Sequence, residues 1–261
     1  MRIGGLAIAP MVLLTVGCFQ GQRTFKINAD GSGTIVDTVK LGEQAKGMIQ
    51  GMEQMDQSPA AEKKAKKKAK YAEAATAMGE GVTYVSTVPS KDGGEVTTYA
   101  FKDITKVHAV AMPNPDVSST SKEEPMSFQL AKNAAGNTVL TVVAAPKKPA
   151  EAKPAGAKPE KPAPKKPEEM AQEITMMKGM LGGLKIKSVV EVNGLVKTSS
   201  PNVVGSAVTL MEVDFDQLDA AALQKMAEAG PAGPPTPEMM RGIKGIKVSD
   251  DKVTIEFTGR K

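Results

Sequence analysis

The sequence predicts an α+β fold, with antiparallel β hairpins forming a sheet, a few packed helices, and a disordered Pro/Lys/Ala-rich insert interrupting them. Three observations carry this expectation. Short β-prone arms recur on either side of Gly- and Asn-rich turns. Between them, apolar or alanine residues recur at helical spacing. Residues 146–167 hold seven Pro and seven Lys but no aromatic or branched aliphatic residue, so that stretch cannot bury a core.

The elements follow in chain order. From Thr24 to Val36, two β-prone arms flank Asp30-Gly31-Ser32-Gly33, a hairpin in which both glycines are expected at positive φ. A strand rather than a helix follows these glycines, which argues against a phosphate-cradling loop. Ala45, Met48, Ile49, Met52 and Met55 have helical spacing. Ser58 as N-cap and Pro59 as first helical residue start a second helix. Its packing face is expected to be Ala61, Ala65, Ala69, Ala72 and Ala75, with Gly79 or Gly81 ending it. Val82, Tyr84, Ser86 and Val88 then alternate, and Thr97, Tyr99 and Phe101 return after a turn at Asp92-Gly93-Gly94. Residues 111–125 read as a proline-bearing loop. Met126, Phe128 and Leu130 pair with Val139 to Val143 across a turn at Asn133 to Asn137.

Beyond the insert, Met170, Ile174, Met177 and Leu181 form a short amphipathic helix ended by Gly182-Gly183. Asn193-Gly194 reads as a hairpin turn between Lys185–Val192 and Leu195–Thr198. Val203 to Phe215 runs extended with Val208, Leu210 and Val213 inward, and Leu218 to Ala229 is helical. Ile246–Val248 and Val253–Phe257 close the chain as a hairpin across Asp250-Asp251. The organisation is therefore a signal segment at 1–17, a first ectodomain part at 18–145, the insert at 146–167 and a second part at 168–261. One composite domain is expected, because the second part is short and hairpins at both ends of the chain need partners.

The first eighteen residues bear on location. Met1-Arg2 precedes an uncharged apolar run from Ile3 to Leu14, the pattern of a secretory signal and too short to span a bilayer. The chain's one cysteine then closes Leu14-Thr15-Val16-Gly17-Cys18, which resembles the lipobox of bacterial lipoproteins. That resemblance implies cleavage between Gly17 and Cys18 and a thioether-linked diacylglycerol on the Cys18 sulfur. Two or three acyl chains hold a protein firmly, at about 0.8 kcal/mol per buried CH₂. It also implies an envelope location, and with Phe19 rather than Asp after the cysteine, the periplasmic side of an outer membrane in a Gram-negative cell. Two further blocks, Phe25 to Leu41 and Ile186 to Phe215, are similar in their strand–turn–strand pattern to LppM-type envelope lipoproteins. This similarity implies an envelope-anchored α+β domain that binds lipid or another envelope component.

Composition narrows the chemistry. One Cys excludes an internal disulfide framework and any multi-cysteine metal site, and one His removes most triads and paired-His sites. No Trp and 3% aromatic residues argue against a single-strand nucleic-acid platform. The formal charge of +5 invites a nucleic-acid reading, but the insert's seven lysines and two glutamates account for +5 alone. Without the insert and Arg2 the remainder is −1, so no nucleic-acid partner is expected. The insert itself reads as a spacer.

His108 reads as a surface residue without a partner motif. The alternation Glu212, Asp214, Asp216 reads as a solvated strand face, with acid–base work or Ca²⁺ binding as the alternative. Met48, Met52 and Met55, and Met176, Met177 and Met180, read as flexible core, with Cu(I) binding as the alternative. Lys63, Lys64, Lys66, Lys67, Lys68 and Lys70 read as a solubilising helix face or a contact for an anionic surface. No catalytic residue, metal or cofactor is assigned. The function expected is that of a lipid-anchored envelope protein with a non-catalytic binding or structural role, its partners being the membrane through Cys18 and a lipid or envelope protein. An envelope enzyme and a copper-handling Met protein are the alternatives.

Overall fold

The computed structural model describes residues 19–42, 58–90, 94–110, 125–143, 182–199, 203–219 and 241–259, with 46, 47, 51, 55, 172, 175, 176, 178, 179 and 221–223 between them. The signal segment, the 146–167 insert, most of the 111–125 loop and Asp92-Gly93 lie outside the described residues.

The first hairpin forms as its turn chemistry dictates. Strands β1 (Phe19–Ile27) and β2 (Gly33–Leu41) pair antiparallel with Phe25 opposite Ile35. The Asp30 carboxylate accepts from Ser32 N at 2.9 Å and Ser32 Oγ at 2.7 Å, and Gly31 takes φ +88°. Gly33 differs from expectation, since it is not at positive φ. A Cβ there would collide with Lys26 O and come within 2.7 Å of Phe101 Cζ, so close approach is what requires glycine.

Helix α1 (Ala60–Ala77) starts one residue later than the sequence suggests, because Pro59 rather than Ser58 holds the cap position at φ −56°, ψ 145°. Its packing face also differs. Ala61, Ala65, Ala69 and Ala72 are exposed, whereas Tyr71, Ala74, Ala75 and Met78 pack against the core. A methyl group buries little area, so the larger Tyr71 and Met78 decide which side turns inward. Gly79 at φ +134° and Gly81 at φ +79° end the helix region.

Strands β3 (Thr83–Pro89) and β4 (Glu95–Phe101) form the second hairpin, and β5 (Ser127–Lys132) and β6 (Thr138–Val143) the third. The remaining strands are β7 (Lys185–Val192), β8 (Gly194–Ser199), β9 (Val203–Val204), β10 (Ala207–Asp214), β11 (Ile246–Val248) and β12 (Lys252–Gly259). They build two sheets. The larger has the order β11-β10-β7-β1-β2-β4-β3 with β9 on β10, and the smaller β5-β6-β12-β8. Pairing is antiparallel except at the centre, where β1 and β7 run parallel. A parallel pair needs a long crossover rather than a tight turn, and well over a hundred residues separate these two strands.

Two expected hairpins are corners instead. Asn193-Gly194 carries the chain from β7 in the larger sheet to β8 in the smaller, and the two strands do not pair. Asn193 N donates to Ile27 O at 2.8 Å and its Nδ2 to Asn28 Oδ1 at 3.0 Å, while a Cβ on Gly194 would collide with Thr258 O. Likewise β11 pairs with β10, whereas β12 pairs with β6 and β8. Turn residues specify a change of direction but not which neighbour the next strand adopts.

The two sheets share one core. Phe25, Ile35, Phe101 and Val190 of the larger meet Phe128, Leu140, Ile255 and Phe257 of the smaller, with the Phe25 and Phe128 rings 5.2 Å apart. A second cluster gathers Val213, Leu218, Leu223, Ile243 and Ile246 around β10 and β11. Strands from the two sides of the insert meet in both sheets, β7 beside β1 and β12 beside β6.

Candidate functional site

Gly17 and Cys18 lie outside the described residues, but Phe19, the next residue, opens β1 between β2 and β7. The register defines what shares this end of the sheet. Leu41 is opposite Phe19, Lys40 and Lys185 are opposite Gln20, Glu95 is opposite Val39 and Asp214 opposite Lys185.

Helix α1 has its N-terminus at the same end. Glu95 accepts from Tyr71 OH at 2.9 Å and pairs with Lys67 Nζ. At the other end of the helix, Met78 O accepts from His108 N at 2.7 Å, and nearby Ile104 N donates to Gly31 O in the first hairpin's turn. Residues 60–66 therefore extend about 10 Å beyond the Glu95 contact at 1.5 Å per residue. Of the expected lysine cluster, Lys64, Lys66, Lys67, Lys68 and Lys70 are exposed and Lys63 is half-buried. Lys66 pairs with Glu62 at 2.8 Å. Burial, then the Glu95 carboxylate, push the Tyr71 phenol up to about 12.

An open groove on the solvent face of the sheet is lined by Gln20, Gln22, Thr38, Lys40, Lys185 and Lys187. Its cations meet acids across the strands, Lys187 with Glu212 at 3.4 Å and Lys185 with Asp214 at 3.1 Å. The acidic alternation is thus engaged structurally. Asp214 also accepts from Gln217 Nε2 and Asp216 N, closing a short 3-10 turn, and Asp216 accepts from Gly183 N at 2.7 Å. Burial pushes the Asp214 carboxyl up, but hydrogen bonds from Lys185 and Gln217 outweigh it and leave it below the ordinary range.

His108 is exposed. Met55 and Met176 are also largely exposed, at 79% and 57%, rather than core residues; Met78 and Met126 fill the core instead. Met48, Met52, Met177 and Met180 lie outside the described residues. Among the described residues no three His, Cys, Asp or Glu side chains gather as a metal set, and no helix is long and apolar enough to cross a membrane.

Sequence reasoning missed a polar row crossing the core face of the larger sheet. The register aligns Thr87, Thr97, Asp37, Arg23 and Ser188 across five neighbouring strands. Arg23 Nε donates to Asp37 Oδ1 at 2.7 Å and Nη2 to Oδ2 at 2.6 Å, while Nη1 donates to Val110 O at 2.9 Å. Thr87 and Thr97 share a hydroxyl hydrogen bond at 3.1 Å. Ser188 Oγ is fully buried and has no hydrogen-bond partner. The signal was available, because a hairpin centred on Asp30 sets Arg23 opposite Asp37.

The chain is thus an α+β protein of two packed sheets with a lysine-bearing helix at the β1 start. Comparison with family models, curated proteins and solved structures finds no match to it.

Proposed function

We propose that the chain is a lipid-anchored protein of the bacterial envelope with a non-catalytic binding or structural role, held through an acylated Cys18. The observation that carries this reading is the position of the cysteine immediately before Phe19, the first residue of the strand between β2 and β7. An acyl anchor there would attach to the sheet itself, with no linker, and keep the two-sheet body at the bilayer surface. The LppM-type strand and turn pattern supports a ligand drawn from lipid or another envelope component, and the absence of Asp after Cys18 favours the outer membrane in a Gram-negative host.

Mass spectrometry of the native protein tests the reading. The expected N-terminal tryptic peptide is Cys18 to Arg23 carrying a diacylglyceryl thioether. An N-terminus elsewhere, or an unmodified Cys18, would contradict it. Co-purifying lipid would then favour lipid binding, and a co-purifying protein would favour a structural role.

A further inference from the structure

We infer that the first half of α1 is a second membrane contact, whose lysines take the anionic phospholipid headgroups of the leaflet that holds the Cys18 acyl chains. The inference rests on the anchored reading above and adds a surface to it.

Three observations converge on it. The first is position. Glu95 lies in the same cross-strand row as Gly21, two residues from Phe19, which is about 7 Å along the strand. The helix continues about 10 Å past its Glu95 contact, so its first turns reach the level of Phe19, where the anchor would hold the bilayer. That places the lysines within a Debye length of the surface, about 8–10 Å at physiological salt.

The second is charge. Residues 60–70 carry six lysines and one glutamate, a local +5, whereas the rest of the chain without the insert and Arg2 is −6. A polybasic segment near an anionic leaflet gains about 1 kcal/mol per lysine at the surface, which would orient a body that the acyl chains already hold. The third is exposure. The alanine stripe at 61, 65 and 69 faces away from the core, so the first half of the helix buries no apolar face in the protein. Its place is fixed further along, by Tyr71, Ala75 and Met78. An 18-residue helix that spends half its length outside the core is unusual as packing and well suited to reaching a surface.

The test uses the full lipidated chain reconstituted into vesicles, either phosphatidylethanolamine with phosphatidylglycerol or phosphatidylcholine alone. A water-soluble amine-acylating reagent is applied, and labelling is read lysine by lysine by peptide mass spectrometry. Lys64 and Lys68 should label several-fold more slowly on the anionic vesicles, and high salt should restore the rate. Lys102, exposed at the opposite end of the sheet, should label equally on both. Equal labelling of Lys64 and Lys68 on the two vesicle types, or equal protection on both, would overturn the inference while leaving the anchor intact. Protein that fails to sediment with either vesicle would instead overturn the anchored reading and the inference with it.

Discussion

Arg23 and Asp37 form a buried ion pair in the middle of a sheet, where each charge depends on the other. Taking either charge out of water costs several kcal/mol, and the bidentate geometry offsets it only while both partners stand. Asp37→Ala is therefore expected to lower stability by about 3–5 kcal/mol, measured by urea denaturation, because it strands a buried cation. Arg23→Met combined with Asp37→Leu should recover most of the loss; a double variant as unstable as the single would contradict this account. The three tyrosines give a second residue-scale check. Tyr71 stacks on Tyr84 at 5.5 Å and Tyr84 meets Tyr99 at 6.2 Å, and the chain has no Trp to obscure their spectrum. Burial and Glu95 hold the Tyr71 phenol protonated, so its folded pKa exceeds the unfolded one. The stability this contributes is complete below about 10 and is lost as pH rises towards about 12. In an ultraviolet tyrosinate titration, Tyr71→Phe should remove a component near 12; an unchanged high-pH limb would argue against the Glu95 contact. The Arg23–Asp37 pair was missed although the register of a hairpin centred on Asp30 implies it; the tyrosine stack had no such signal, since no local pattern places a helix residue over β3.

At the scale of elements, hairpins whose turns lie between adjacent partners were readable. Asp30-Gly31 and Asn133 to Asn137 each make side-chain and backbone bonds that fix two flanking arms. Asn193-Gly194 has the same chemistry but serves as a corner, because β7 finds its partners in β1 and β10 and β8 finds its partner in β12. Those pairings come from distant segments, and no turn motif encodes them. The corner yields a sharp expectation. Gly194→Ala should cost roughly 1–3 kcal/mol, since its Cβ would press on Thr258 O in a paired strand. By contrast, Lys64→Gln with Lys68→Gln should leave the unfolding free energy from urea denaturation within about 0.5 kcal/mol of the parent, as both side chains are exposed. A large loss there would mean that the first half of α1 packs against the fold. The alanine stripe misled for a related reason: periodicity identified a helix, but its buried side followed Tyr71 and Met78.

For the whole molecule, the chain's charge and its one cysteine describe opposite ends of the same problem. The insert between Pro146 and Pro167 carries a local +5 and leaves the rest nearly neutral, so the net positive charge does not mark the folded sheets as a nucleic-acid surface. The fold class was legible because alternation and turn residues are local. The parallel β1–β7 pair was not, since it joins segments on either side of the insert. The central claim is that Cys18 bears the acyl chains that hold these sheets at a membrane. Metabolic labelling with a radioactive fatty acid in a bacterial host tests it most directly, comparing the native chain with Cys18→Ser. The account predicts label on the native chain and none on Cys18→Ser. Undiminished label on the serine variant would contradict it.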